Sequence, residues 1–226
     1  MQINIPHRPG NSAAKVSLEA GESITAEGGA MIAMSGHMQV ETTTHKKDQG
    51  SILGAIKRLV TGESLFLNHF TPSGGPGEVY FGTALSGDMM EYNLNGPGIM
   101  VQGGSYVASS PSVDMDIQWQ GFGKALFSGE SMFLIRLSGQ GPVILNSFGA
   151  VYPIQVNGEY IVDTGHIVAF EETLNYEVSK AGKSWLSSIL GGEGLVCKFH
   201  GQGTVWCQSH NAGSFGASLG PNLKPR

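Results

Sequence analysis

The chain has 226 residues and a formal net charge of −5, and 34 of its residues are glycine. Hydrophobic residues make up 40% of the chain, which excludes a disordered protein, and no apolar run reaches the roughly 18 residues of a membrane span. The acidic net charge argues against a general nucleic-acid binder.

Short strands separated by glycines dominate the predicted elements. The segment 14–18 alternates apolar and polar residues, as do 113–117 and 174–178, and this period is typical of half-buried strands. A helix is predicted before Gly62, because one face of it collects five apolar residues: Ile52, Leu53, Ile56, Leu59 and Val60. Segments 122–127 and 185–190 are predicted as shorter versions of this helix.

The same sequence pattern recurs three times along the chain. Gly28-Gly29-Ala30 and the apolar residues after it match segments beginning at Gly103 and Thr164. A Gly-x-Gly motif follows later in each unit, at 75–77, 139–141 and 201–203, and is predicted to form a hairpin turn. These matches define three repeats, at about 13–89, 90–150 and 151–212.

The repeats predict one all-β domain over residues 1–226, with one short helix in each repeat and a mobile tail at 213–226. A single repeat would leave the edges of an incomplete sheet exposed, and three repeats around a pseudo-threefold axis can share one core. No Pro-, Ser- or Gly-rich stretch long enough to be a linker separates them.

A family resemblance rests on these motifs. The segment 18–33, the glycine-ended helix followed by Gly-Glu-Ser, and the segment 121–133 resemble the altered-inheritance-of-mitochondria family over about residues 2–210. The resemblance implies three repeats of the β-unit of the tryptophan-RNA-binding attenuation protein, a compact relative of the double-stranded β-helix. Mitochondrial members of that family are implicated in organising inner-membrane protein complexes, and its prokaryotic members have no agreed activity.

Three glutamates recur at the same place in the repeats: Glu63, Glu130 and Glu193. If they face the axis, their carboxylates could form a ring that binds a hard cation through oxygen ligands. Alternatively, each sits in solvent after a helix end or accepts backbone N–H bonds. The sequence predicts no cofactor and no metal otherwise, since His166 lacks the second histidine of a cupin-type site and is interpreted as a structural histidine.

Neither a catalytic serine nor a disulfide framework is indicated. Ser64 and Ser131 lie in Gly-Glu-Ser-x-Phe segments that lack the last glycine of a nucleophile elbow, and we predict that the protein is not an enzyme. Cys197 and Cys207 flank the 201–203 motif, and a hairpin there would place the two thiols diagonally. They are interpreted as small buried hydrophobes, with a redox pair as the alternative. We predict a cytoplasmic location.

The predicted helices offer a candidate interaction surface. If all three lie at one end of the molecule, seven apolar residues form a single patch: Ile52, Leu53, Ile56, Phe122, Trp185, Leu186 and Ile189. Basic residues near it would suit a protein partner or an anionic membrane surface. The alternative is that these faces only cap the open end of the barrel.

Three functional hypotheses follow. The first is a non-enzymatic interaction or scaffold protein that self-associates and acts on protein complexes, with a possible peripheral membrane contact. The second is a small-ligand binder, or a degenerate cupin-like enzyme, that uses a pocket between repeats. The third is RNA binding by analogy with the attenuation protein. No nucleic-acid partner is expected, because Arg136 has no basic counterpart at the matching positions His69 and Phe199.

Overall fold

Alternating side chains build the strands, as β2 (Ala14–Leu18) illustrates. Its residues Ala14, Val16 and Leu18 are buried, and Lys15 and Ser17 between them are partly exposed. The fold is known from a computed structural model that describes residues 1–44, 66–119, 133–180 and 195–223. These residues form a predominantly β structure, a single domain of antiparallel sheets, as the sequence predicted.

The described residues before 82, which are 1–44 and 66–81, form seven strands. They are β1 (Gln2–Asn4), β2, β3 (Ile24–Glu27), β4 (Met31–Met34), β5 (Met38–Thr44), β6 (Phe66–Pro72) and β7 (Gly77–Phe81). Four of them form a sheet in the order β1-β2-β7-β4, and β3 and β5 pair with the two sides of β6. The strands before residue 82 are therefore shared between two sheets, with β3 and β4, which flank one turn, in different ones.

Five strands follow in the described parts of 89–146, on either side of the gap at 120–132. They are β8 (Met89–Asn95), β9 (Ile99–Gln102), β10 (Tyr106–Ser109), β11 (Val113–Trp119) and β12 (Phe133–Asn146). Strand β12 has a partner on each side along its length. Its first half pairs with β9 and β11, and its second half pairs with β8 and β10.

The last strands repeat this arrangement around β16. They are β13 (Val151–Asp163), β14 (Ile167–Glu171), β15 (Asn175–Lys180) and β16 (Leu195–Gln208). Strand β13 runs along the full length of β16 on one side, and β15 and β14 share the other side. Pairs β10–β3 and β14–β9 then join these groups into one 12-stranded sheet.

The predicted hairpins at 139–141 and 201–203 are wrong. Both motifs lie inside single strands, β12 and β16, that continue past them. Gly139, Gly141 and Gly201 do have positive φ angles, of 103°, 121° and 119°. Here that left-handed geometry bends a strand so that its two halves meet different partners, instead of reversing the chain.

The two cysteines are consequently not diagonal neighbours across a hairpin. Cys197 and Cys207 lie on the same strand, where Cys197 is opposite Val162 and Val178, and Cys207 is opposite Tyr152 and Ile167. Both thiols are buried and free. Burial raises the pKa of Cys197 to about 12 and that of Cys207 to about 11, which keeps both protonated and unreactive at neutral pH.

The chain after β16 contains one helix that sequence patterning did not indicate. Helix α1 (Ala212–Leu219) begins at Asn211, whose Oδ1 accepts a hydrogen bond from the Ser214 N–H at 3.0 Å. Its Phe215 packs edge-to-face on Phe148, with ring centroids 5.4 Å apart. The helix was missed because its two glycines resemble a loop, and the mobility of the tail stays a prediction.

The buried apolar residues of the described chain form three clusters. The first contains Phe70 and Phe81, the second Tyr106 and Ile135, and the third Phe170 among its largest members. Every one of these five side chains is at most 1% exposed.

Candidate functional site

Three matched turns connect the strands at one side of the molecule. Turn 1 (27–30) joins β3 to β4, turn 2 (102–105) joins β9 to β10, and turn 3 (163–166) joins β13 to β14. After each turn the next strand shifts its register between its first and third residues. The matched sequences therefore form a β-bulge at the same position after each turn.

The three turns line a common pocket of about 540 Å³. Segments that follow β7, β12 and β16 complete its wall, at 82–85, 146–148 and 211–213 together with Gln208. The lining mixes backbone of glycine-rich turns with apolar side chains, and it also carries neutral polar side chains. The volume lies within the range of about 300–1,000 Å³ that small-molecule sites span.

Glu27 differs from the residues at the matching positions of the other turns. Gln102 Oε1 accepts a hydrogen bond from the Gly104 N–H, and Asp163 Oδ1 accepts one from the Gly165 N–H, both at 2.8 Å. These side chains cap their turns. Glu27 makes no side-chain hydrogen bond or ion pair to any residue that the structure describes.

The reason lies in the backbone of turn 1. Gly29 has a φ of 93° and the Ala30 N–H donates to the Glu27 carbonyl at 3.2 Å, which matches the glycine requirement of a type II turn. Turns 2 and 3 are single 3₁₀ turns without a positive φ. Turns 2 and 3 are closed by i→i+3 backbone bonds as well, so turn 1 differs in its positive φ and in having no side-chain cap, and the Glu27 carboxyl is left available to the pocket.

Burial raises the pKa of Glu27 to about 7. The buried Tyr106 phenol has a raised pKa as well, first because of its own burial and also because of the nearby Glu27 charge. No Lys, Arg or His belongs to the pocket wall as far as the chain is described. Glu27 is thus a carboxyl that changes charge near neutral pH and has no counter-ion among the described residues of the pocket wall, a combination found at functional sites.

Gln208 fixes the wall opposite turn 1. Its Nε2 donates to the Gly165 carbonyl at 2.9 Å, and its Oε1 accepts from the Phe148 N–H at 2.8 Å. Its own carbonyl lies 2.8 Å from His166 Nδ1. These bonds hold turn 3 against the ends of β12 and β16, so His166 performs the structural role predicted for it.

A family model described as mitochondrial biogenesis AIM24 matches residues 3–210 of the chain. The chain belongs to that family. The AIM24 match covers nearly all of the described strands and all three turns. It confirms the family resemblance seen in the repeated motifs.

Two Streptococcus pyogenes proteins are similar to this AIM24-family protein. An uncharacterized protein of Streptococcus pyogenes serotype M6 is 29% identical over 210 residues, which cover 91% of this chain and 84% of the relative. The X-ray crystal structure of another Streptococcus pyogenes protein has a TM-score of 0.82 and 25% identity, covering 98% of this chain and 99% of that one. Both comparisons extend over the whole fold.

The site residues proposed from the sequence lie outside the described residues. This holds for the carboxylate ring of Glu63, Glu130 and Glu193 and for the serines Ser64 and Ser131. It also holds for the three predicted helices with their apolar surface: Ile52, Leu53, Ile56, Phe122, Trp185, Leu186 and Ile189. Within the described ranges, no group of three His, Cys, Asp or Glu residues is arranged to hold a metal ion, and no helix is long and apolar enough to cross a membrane.

Sequence reasoning missed Glu27. The signal was present, because the residue before the glycine turn is polar in all three matched segments: Glu27, Gln102 and Asp163. The pattern alone predicts three equivalent caps. Only the positive φ of Gly29 separates the uncommitted carboxyl from the two capping side chains.

Proposed function

We propose that this AIM24-family protein is a non-enzymatic binding protein whose pocket between turns 1, 2 and 3 holds a small molecule carrying an amine. The observation that carries the proposal is Glu27, a partly buried carboxyl without a described hydrogen-bond partner in a pocket of about 540 Å³. Burial raises the pKa of Glu27 because it removes water from the carboxylate. An ammonium group beside the carboxylate would stabilise its negative charge in place of that water.

The rest of the wall supports this class of ligand. Ser105 and Asn146 also line the pocket without a side-chain hydrogen bond to a described residue, so they offer neutral polar contacts. Leu85, Val107 and Ile167 provide apolar surface for the carbon skeleton. An anionic ligand would instead meet the Glu27 carboxylate without a compensating cation in the described wall.

A panel of small molecules tests the proposal. Putrescine, ethanolamine and tyramine are compared with their N-acetylated forms and with acetate and butyrate, by thermal shift and isothermal titration calorimetry. We expect binding by at least one free amine, loss of that binding in Glu27→Gln, and retention in the control Glu41→Gln on exposed strand β5. Binding confined to the anions, or amine binding that survives Glu27→Gln, would overturn the proposal.

Amine binding should depend on pH in a defined direction. The free Glu27 carboxyl has a pKa of about 7, so it is mostly neutral at pH 6 and mostly ionised at pH 8. If an ammonium binds the ionised form, affinity rises roughly tenfold between these values, provided that the amine keeps its proton. Calorimetry at pH 6, 7 and 8 measures this rise, and a flat or falling profile would contradict a Glu27–ammonium contact.

We further propose that the chain consists of three matched units like the β-unit of the tryptophan-RNA-binding attenuation protein, arranged around the pocket. Support comes from the turns, from the register shift after each, and from the bent strands β12 and β16 with partners on both sides. In the first unit, β6 and β7 occupy the places of the two halves of such a strand. The pocket then lies where the three units meet.

The wider role proposed for this protein is that of a scaffold for protein complexes. The candidate partner or membrane surface lies outside the described residues and stays a prediction, as does the carboxylate ring. Flotation with vesicles of anionic lipid at low salt tests the membrane version. A cytoplasmic location also stays a proposal, supported by the two free, buried cysteines.

A further inference from the structure

Two strand pairs join the proposed units, and both use the same register. Strand β10 pairs with β3 so that Ala108 is opposite Ala26 and Ser109 is opposite Thr25. Strand β14 pairs with β9 so that Ala169 is opposite Val101 and Phe170 is opposite Met100. In both pairs, the strand that follows one turn meets the strand that precedes another turn.

A third junction of this kind is not formed within the chain. Its two halves would be β4, which follows turn 1, and the end of β13, which precedes turn 3. In the described part of the chain β4 pairs only with β7, and β13 pairs only with β16. Each strand thus keeps one edge without a backbone partner.

The side chains of β4 and of the end of β13 are exposed, in contrast to those of the strands at the two internal junctions. All four residues of β10 are buried, and so are the first four of β14. In β4 the residues Met31, Ile32 and Met34 are 41%, 59% and 37% exposed, and near the end of β13 Tyr160 and Ile161 are 44% and 51% exposed. Apolar edge strands of this kind are templates for pairing with another chain.

We propose that β4 of one copy pairs with the end of β13 of a second copy, in the register of the two internal junctions. Ala33 would then face Val162 and Met34 would face Ile161 across the interface. The occupant is a second copy because this chain itself carries the complementary edge, and because both internal junctions already bury the same combination of strands. The proposal rests on the three matched units and is independent of the ligand.

The geometry of such an interface is head to tail. Each copy offers one β4 edge and one β13 edge, so every edge is paired only when the copies close into a ring, of which a two-copy ring is the smallest. The sheet would then continue from one copy to the next without a free edge at these positions. A closed assembly of fixed mass is therefore the expected form.

Charge substitutions on the two edges test the interface in the full chain. Light scattering after size exclusion and native mass spectrometry give the mass of the unmodified protein and of Met34→Lys, Ile161→Glu and their combination. We expect a homo-oligomer that dissociates in either single variant. It should re-form in the combined variant, because the introduced ammonium and carboxylate then face each other between copies.

The control variant is Val40→Lys, which adds the same charge to a 42%-exposed residue of edge strand β5, outside the proposed interface. It should keep the mass of the unmodified protein, and circular dichroism should show that every variant is folded. A monomeric unmodified protein would overturn the proposal. An oligomer whose mass neither single variant changes would overturn it as well, since another surface would then hold the copies together.

Discussion

Strands β14 and β4 have similar apolar sequences and opposite environments. The residues Ile167-Val168-Ala169-Phe170 are buried, whereas Met31-Ile32-Ala33-Met34 are all exposed. Both strands follow a matched turn, and both shift register against a neighbouring strand. The difference is that β14 has β9 on its other side and β4 has no described partner there. An apolar strand is therefore buried only where the fold supplies the second edge.

The largest expected effect comes from introducing a glutamate at the alanine that is third in each strand, Ala169 in β14 and Ala33 in β4. Ala169 is fully buried between strands, so Ala169→Glu should cost about 3–5 kcal/mol or prevent folding, as an unpaired buried charge does. Ala33 is exposed, so Ala33→Glu should cost less than about 1 kcal/mol. Urea unfolding at low protein concentration measures both, and equal losses would contradict the contrast between the junction and the open edge.

Local elements were predictable from the sequence, and their partners were not. The alternation of apolar and polar residues predicted β2 with its observed bounds, Ala14–Leu18, and predicted a strand at the position of β11. This alternation depends only on residues that are neighbours in the sequence. Three of the four glycines in the motifs 139–141 and 201–203 have a positive φ angle, which is the glycine geometry that a hairpin turn uses. That angle is compatible with a hairpin or with a bend in a continuous strand, and only contacts with distant strands decide between them.

The candidate site shows the same limit. The repeated turn sequence indicated three equivalent features, and the structure does bring the three turns to one pocket. Which turn carries chemistry depends on whether the side chain before the glycines is used as a cap. That choice follows from one backbone angle at Gly29, which a sequence with glycine in all three turns does not specify.

Turn 1 and its two counterparts should also differ in how stability depends on pH. The pKa of Glu27 is raised from 4.5 to about 7 in the folded protein. The folded state therefore binds more protons than the unfolded state between these values, and its stability falls as pH rises through this window. Glu27→Gln removes that loss, so it should stabilise the protein at pH 8, by at most about 3 kcal/mol, and have little effect at pH 4.

Thermal unfolding of the unmodified protein and Glu27→Gln from pH 4 to pH 8 provides the measurement. Gln102→Ala is the matched control in turn 2, because it removes an uncharged cap and should lower stability by the same amount at every pH. A constant difference between Glu27→Gln and the unmodified protein would show that the Glu27 carboxyl is not desolvated.

A smaller loss of stability is expected for a substitution at Tyr106, at the junction between β10 and β3. This fully buried residue begins β10, and its hydroxyl lies 2.9 Å from Ser109 Oγ and 3.3 Å from the Thr25 carbonyl of β3. Tyr106→Phe removes a hydrogen bond across the junction and should cost about 1–2 kcal/mol. At the open edge the matched residue is Met31, and Met31→Leu should change stability by less than about 0.5 kcal/mol. Denaturant midpoints of the two variants compare them directly.

The smallest expected effect concerns an ion pair at the β14–β9 junction. Arg136 on β12 holds Glu172 through two hydrogen bonds, of 2.6 Å and 3.0 Å, and the Glu172 N–H donates to the Gly98 carbonyl before β9. Both side chains are 35% exposed, so solvent screens the pair, and Arg136→Ala should cost no more than about 1 kcal/mol. The loss should shrink further as salt is added.

The stabilisation from the Arg136–Glu172 ion pair depends on pH, and Glu172 determines the direction of this dependence. The Arg136 guanidinium lowers the pKa of that carboxyl, so the stabilisation is present above the unfolded value near 4.5 and disappears as pH falls through the lowered value. A double-mutant cycle with Glu172→Gln, measured at low and high salt, isolates the pair. If salt does not reduce the coupling free energy between Arg136 and Glu172, the pair is shielded from solvent. The ion pair would then contribute more to the stability of the β14–β9 junction than the buried apolar residues of the two strands.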